Sequence, residues 1–201
     1  MTQTAADARR HAPATLRNRE AILAVLRGVL PAAGLALEVA SGSGEHCAFL
    51  AEALPALRFQ PSDPDPEART SIDAWCAGLA NVAPALALDC LAPWPALKAD
   101  AVLCINMIHI SPWAATLGLL AGAAATLPPG APLYLYGPYR QAGQPFAESN
   151  AAFDASLRAR NPAWGIRELE AVATAAAAQG FGPPAVTPMP ANNLSVVFRR
   201  G

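Results

Sequence analysis

Three carboxylates and a pair of glycines are the residues whose types and spacing carry chemistry in this chain. Glu38 interrupts an apolar run, Leu35–Val39, and is followed by Ala40, Ser41, Gly42, Ser43 and Gly44. Asp63 lies 19 residues beyond Gly44, and Asp89 stands at the end of a further apolar stretch, "APALALD". Glycines at the end of a strand let the backbone approach a ligand closely, and the first turn of the next helix offers free N–H groups. Acids at the ends of successive strands can take hydroxyls and amines of a nucleoside.

Three ligands compete for such a loop. A nucleoside triphosphate needs G-x-x-x-x-G-K-[ST], and no lysine follows these glycines. A dinucleotide needs G-x-G-x-x-G/A, whose third position is here Cys47, and its strand is usually uninterrupted by an acid. S-adenosylmethionine carries no phosphate and presents an ammonium, a carboxylate and a sulfonium. Its loop pattern, [DE]-x-G-x-G-x-G, is met at three positions of four, with Ala40 in place of the first glycine. Glu38 would favour the cationic part, Asp63 the ribose and Asp89 the adenine amine. Ala40 either keeps a negative φ or shifts the ligand. The expected cofactor contacts are Glu38, Ala40, Ser41, Gly42, Gly44, His46, Asp63, Pro64, Asp89, Cys90, Asn106 and Met107.

On the acceptor side, "NMIHISPW" contributes Asn106 and His109, and "YGPYR" contributes Tyr136, Tyr139 and Arg140. An imidazole titrates near neutral pH, which makes His109 the candidate general base. Tyr139, Arg140, Asn150 and Trp164 are candidate substrate contacts, with Tyr136 reading as a packing residue. Asn150, Asp154 and Arg158, spaced by four, share a helix face. Arg17, Asn18 or Arg19 could meet the carboxylate of the cofactor from the N-terminal arm. No metal site is expected. Cys47, Cys76, Cys90 and Cys104 lie too far apart for a C-x-x-C pair and read as buried thiols in a reducing cytoplasm.

Strands and helices must alternate to bring these groups together. Helices are expected over "APATLRNREAILAVLRGVLP", "HCAFLAEALP", the segment capped by Asp65-Pro66, the segment opened by Ser111-Pro112, "SNAAFDASLRAR" and "IRELEAVATAAAAQGF". Strands are expected at Leu35–Val39, "LRFQPSD", "APALALD", "DAVLCINMIHI", "APLYLYG" and a terminal pair turning at Asn192-Asn193. The expectation is an α/β domain: a doubly wound, mostly parallel seven-stranded sheet with helices on both faces and an antiparallel pair at the C-terminal edge. All 201 residues form one domain, with residues 1–30 an N-terminal arm and helix and residues 141–165 a lid-like insertion.

Composition narrows the partners. With 53% hydrophobic residues and 14 basic against 15 acidic side chains, the chain gives no case for nucleic acid or anionic membrane as partner. The expected partner is a small-molecule acceptor.

Beyond these patterns, the chain resembles class I S-adenosylmethionine-dependent methyltransferases over about residues 15–200. The resemblance rests on "LEVASGSGEH", "GLANV", "DAVLCINMIHI" and "LPPGAPLYLYGPY". More narrowly, "QPSDPDPEARTSIDAW", "NMIHISPW", "SNAAFDASLRARNPAWGIRELE" and "MPANNLSVVF" resemble the family called methyltransferase-like protein 26 in animals and domain of unknown function 938 in bacteria. That resemblance implies the Rossmann-like methyltransferase fold and the cofactor, and names no substrate. The implied function is methyl transfer to a small molecule. Two alternatives are a cofactor- or partner-binding module without turnover and, opposed by Glu38 and Cys47, an NAD(P)-dependent oxidoreductase.

Overall fold

The computed structural model describes residues 8–201, so the first seven residues of the expected N-terminal arm lie outside the described region. Helix α1 (Pro13–Val29) leads into strand β1 (Gly34–Val39), helix α2 (Glu45–Ala53), strand β2 (Leu57–Ser62) and helix α3 (Pro66–Trp75). Strand β3 (Ala101–Ile105), helix α4 (Trp113–Thr126) and strand β4 (Pro132–Gly137) follow. Short strands β5 (Tyr139–Arg140) and β6 (Arg167–Glu168) bracket helix α5 (Glu148–Arg160). Helix α6 (Leu169–Ala178) and strands β7 (Ala185–Met189) and β8 (Asn193–Arg199) complete the chain.

The main sheet runs β2-β1-β3-β4-β8-β7, parallel through β4 and antiparallel beyond it. Alternation along each strand divides the core between its two faces. Ala36, Leu103 and Tyr134 pack with Ile22 and Leu26 of α1, Leu50 of α2 and Ile72 of α3. Leu37, Val102 and Leu133 pack with Leu119 of α4 and Val172 of α6. Each face is dry and covered by helices, which is the doubly wound architecture expected. No helix among the described residues is long and apolar enough to cross a membrane.

Six strands, not seven, form this sheet, and Pro61 accounts for the difference. The segment expected as the third strand touches β2 only through isolated bridges, Phe59↔Val82 and Ser62↔Leu86. Phe59 N donates to Asn81 O and Ala83 N to Phe59 O, as a parallel ladder requires. The next donor on β2 would be Pro61, which has no N–H. Past it the partners slip by one residue, and the ladder resumes as Leu86 N to Pro61 O and Asp63 N to Leu86 O. The segment still covers the β2 edge, although it is not a strand. The opposite edge is β7, which contains Pro188 and is preceded by Pro183-Pro184.

Two boundaries also differ from expectation. β3 stops at Ile105 because Asn106 turns into the left-handed region at φ 61°, so the segment through Ile110 is a turn. Helix α4 starts one residue late, with Pro112 as its cap, because the Ser111 hydroxyl donates to Met107 Sδ and caps nothing. Asp65 caps α3 as expected, accepting from Glu67 N at 2.9 Å.

Candidate functional site

The ends of β1 and β3 meet where the strand order reverses, the place at which open α/β sheets hold ligands. The chain leaves both strands with a positive φ. Ala40, just beyond β1, has φ 56°, and Asn106, just beyond β3, has φ 61°. Asparagine tolerates that region and alanine does not, so Ala40 has the positive φ of the glycine it replaces. Ala40→Gly is therefore expected to raise stability by about 0.5–1 kcal/mol, measured by urea unfolding. An unchanged midpoint would mean that the loop bears no such strain.

The loop is held from below. Ser41 N donates to Ser62 O, and the Ser41 and Ser62 hydroxyls both donate to Glu38 O, at 3.3 and 2.8 Å. Asp63 accepts from Gly42 N at 3.1 Å and from Asp65 N at 3.0 Å, so it ties the loop to the start of α3. Burial raises the Asp63 carboxyl above its ordinary range, and the two amides offset part of that rise. The two glycines differ in their surroundings. A methyl on Gly42 would meet nothing within 4 Å, while one on Gly44 would lie 2.6 Å from the Ile72 Cα.

Glu38 is the most unusual group of the crevice. Only 2% of it is exposed, and its Oε2 has no hydrogen-bond partner among the described residues. Burial pushes its carboxyl from 4.5 up to about 7, with Asp63 adding repulsion and Ser41 and Cys47 partly offsetting it. A buried acid with an open lone pair fits a cationic ligand group.

The remaining expected contacts are spread more widely. His46 is turned to α1: its Nε2 lies 2.8 Å from Asn18 Oδ1 and its Nδ1 3.4 Å from Thr15 Oγ1. Both ring nitrogens thus join α1 to α2. Burial lowers its pKa to about 4, so the ring is neutral at pH 7. Asp89 is exposed and accepts from Leu91 N; none of its hydrogen bonds joins it to the glycine loop. Cys90 backs against Gly118 of α4, and burial raises its thiol to about 12. Pro64 is exposed and accepts from Arg69 through its carbonyl. Met107 is half-buried, its sulfur taken by Ser111.

A cavity of about 620 Å³ opens beside this crevice, above the ends of β3 and β4. Asn106, His109, Tyr136, Asn150 and Phe153 border it, together with Arg17 and Asn18 of α1 and the Pro190–Asn192 turn. The insertion supplies one wall through α5, and its two ends are joined by the parallel β5–β6 pair. His109 is 1% exposed, packed edge-on to Phe153 and against Gly137, with Nδ1 unpartnered. Burial, and then the Arg167 charge, hold its pKa at about 4. Arg167, which has no sequence motif, grips this turn from outside: its Nε donates to Ile108 O, and its Nη2 to Ser111 O and Ala163 O.

Three expected substrate contacts stand outside the cavity wall. Tyr139 is buried among the core residues of the α4–α6 face. Arg140 stacks on Phe146 at 3.8 Å and pairs with Asp154. Trp164 lies under Arg160. Asp154, which also accepts from Arg158 Nε and Ile166 N, is the hub that folds the insertion. Asn150 remains on the wall and donates to Asn192 O. Arg17 and Asn18 border this cavity, while Arg19 lies over Phe49.

The family model described as "Protein of unknown function (DUF938)" matches residues 9–200. Among solved structures, an O-methyltransferase family protein from Burkholderia thailandensis is similar with a TM-score of 0.79 at 16% identity, over 94% of this chain and 57% of that one. The mitomycin 7-O-methyltransferase MmcR gives 0.80 at 18% identity, over 94% and 54%. CalO1, a methyltransferase in calicheamicin biosynthesis in its S-adenosylhomocysteine-bound form, gives 0.74 at 17%, over 92% and 54%. The chain spans little more than half the length of each. At these identities the likeness is one of fold, and the fold is that of class I methyltransferases.

Proposed function

The chain belongs to the family described as protein of unknown function DUF938, and from that premise we propose that it transfers a methyl group from S-adenosylmethionine to a small acceptor. The observation that carries this reading is Glu38: a buried acid with an unpartnered oxygen, on the strand that leads into Gly42, where an added methyl would meet nothing within 4 Å. Glu38 would stand toward the ammonium and sulfonium end of the cofactor, Gly42 would let the backbone approach it, and Asp63 would take the ribose hydroxyls. When bound, the cofactor supplies an electrophilic methyl on a positively charged sulfur.

The protein's own part is positioning. In-line displacement gains most from holding nucleophile and methyl in reach and in line. The two strand ends at Ala40 and Asn106 fix the floor of the crevice, and Arg167 fixes the turn that carries His109. With a pKa of about 4, His109 is neutral throughout the neutral range and a weak proton acceptor. In this reading its part would be that of a rigid wall whose unpartnered Nδ1 can accept a hydrogen bond from the acceptor.

S-adenosylhomocysteine at a hundred times its dissociation constant is expected to stabilise the fold by about 2.7 kcal/mol. Thermal unfolding with and without it reads the effect, and NAD is expected to give no comparable shift. Stabilisation by NAD with none from the homocysteine product would overturn the methyl-transfer reading in favour of redox chemistry.

A further inference from the structure

The acceptor cavity has a charge pattern that the cofactor site does not dictate. Among the described residues, Arg17 is the only cationic side chain that borders its wall, and no acidic side chain does. Arg17 is exposed on α1 with no ion pair among the described residues. Other arginines near by are consumed: Arg10 by Asp65 and Glu67, Arg140 and Arg158 by Asp154. Around Arg17 stand the amides of Asn18, Asn106, Asn150 and Asn193, with the ring of Phe153 as a flat apolar surface.

Such a wall discriminates by charge. An ammonium entering it finds no counterion and meets Arg17 across a partly desolvated space. Among the described residues of the wall, a protonated acceptor finds no carboxylate to receive its proton, and the imidazole of His109 is a weak base. An acceptor that is already ionised in water needs neither. A guanidinium with free donors is the natural partner of a planar oxygen anion.

Resting on the methyl-transfer reading, we propose that the acceptor is a small aromatic acid whose oxygen is ionised at neutral pH, drawn in by Arg17 and lying against Phe153. The anionic oxygen attacks the methyl carbon, the carbon–sulfur bond breaks, and its electron pair stays on sulfur. The sulfonium becomes a thioether and the acceptor a neutral methyl ether or ester; no proton moves. The product has lost the charge that held it to Arg17, which favours its release.

Three flat probes of matched size test this: benzoate, neutral benzamide and cationic benzamidine. Each is titrated calorimetrically into the full chain, alone and with saturating S-adenosylhomocysteine. Benzoate is expected to bind about tenfold tighter than benzamide, with benzamidine weakest, a difference of about 1.4 kcal/mol. Arg17→Gln is expected to erase the preference and Arg17→Lys to keep part of it. Equal affinities, tightest binding of benzamidine, no binding of benzoate, or an Arg17→Gln variant with the preference intact would each overturn the proposal. The two readings fail separately. If S-adenosylhomocysteine does not bind while benzoate selectivity holds, methyl transfer falls and the anion site stands; the reverse result rejects the anion site alone.

Discussion

Replacing Glu38 by glutamine is expected to make the protein more stable and less able to bind the proposed cofactor, with a gain that grows through a pH window. The folded carboxyl titrates at about 7 and the unfolded one at 4.5. Below 4.5 both states hold the proton, and wild type and variant are close in stability. Between 4.5 and 7 the folded state keeps a proton that the unfolded chain has released, so the wild type loses stability as pH rises. Above 7 it carries a buried carboxylate with an unpartnered oxygen. The gap between variant and wild type is expected to widen by about 2.5 kcal/mol in the variant's favour from pH 5 to pH 8. His46 and His109, both held at about 4, act with the opposite sign: each loses stabilisation as pH falls from 6.5. Their contributions are common to both proteins and cancel in the difference. Urea unfolding at the two pH values reads it, and parallel profiles would show that Glu38 is solvated in the folded state. Loss of at least about tenfold in S-adenosylhomocysteine affinity at pH 8 should accompany the gain, because the charge that costs stability is the charge proposed to meet the ammonium.

The second large effect separates two glycines that sequence treats alike. Gly44→Ala places a methyl 2.6 Å from the Ile72 Cα at a φ of 92°. Neither backbone can yield without parting α2 from α3, and the expected cost is about 3–5 kcal/mol. Gly42→Ala meets nothing within 4 Å, so only its φ of 59° counts and the cost is about 1 kcal/mol. Its methyl instead enters the space proposed for the ligand, and a loss of affinity of about tenfold or more is expected. Denaturation and S-adenosylhomocysteine titration of both variants give crossed results under this assignment. If Gly42→Ala binds normally, the cofactor does not lie over that glycine.

Much of this was legible because period and punctuation agree. The apolar run ended by Glu38 and the glycines, the Asp65-Pro66 cap and the helical spacing of α1 each follow from local chemistry, and the structure places them as expected. Other features depend on longer-range facts. The third strand was lost to Pro61, a residue in its partner rather than in itself. Tyr139 was taken for a substrate contact, yet alternation counted through Gly137 puts it on the face of Leu133 and Leu135, where it lies buried. Arg167 left no signal at all, since two of the carbonyls it binds are 56 and 59 residues away. His46 looked like part of the glycine loop because sequence shows its neighbours and not α1, which takes both its nitrogens.

The loss of a strand has a consequence for how molecules of this protein meet one another. A free sheet edge is a template on which a second chain can add, and repeated addition builds fibrous aggregates. Here the β2 edge is occupied by the slipped segment, which takes its donors and acceptors without continuing its register. The other edge, β7, is short, contains Pro188 and lies between Pro183-Pro184 and Pro190. A copy pairing there would meet a strand interrupted and bounded by residues without an N–H. Pro61 at one edge and Pro183, Pro184, Pro188 and Pro190 at the other thus leave little for a further strand from a neighbour.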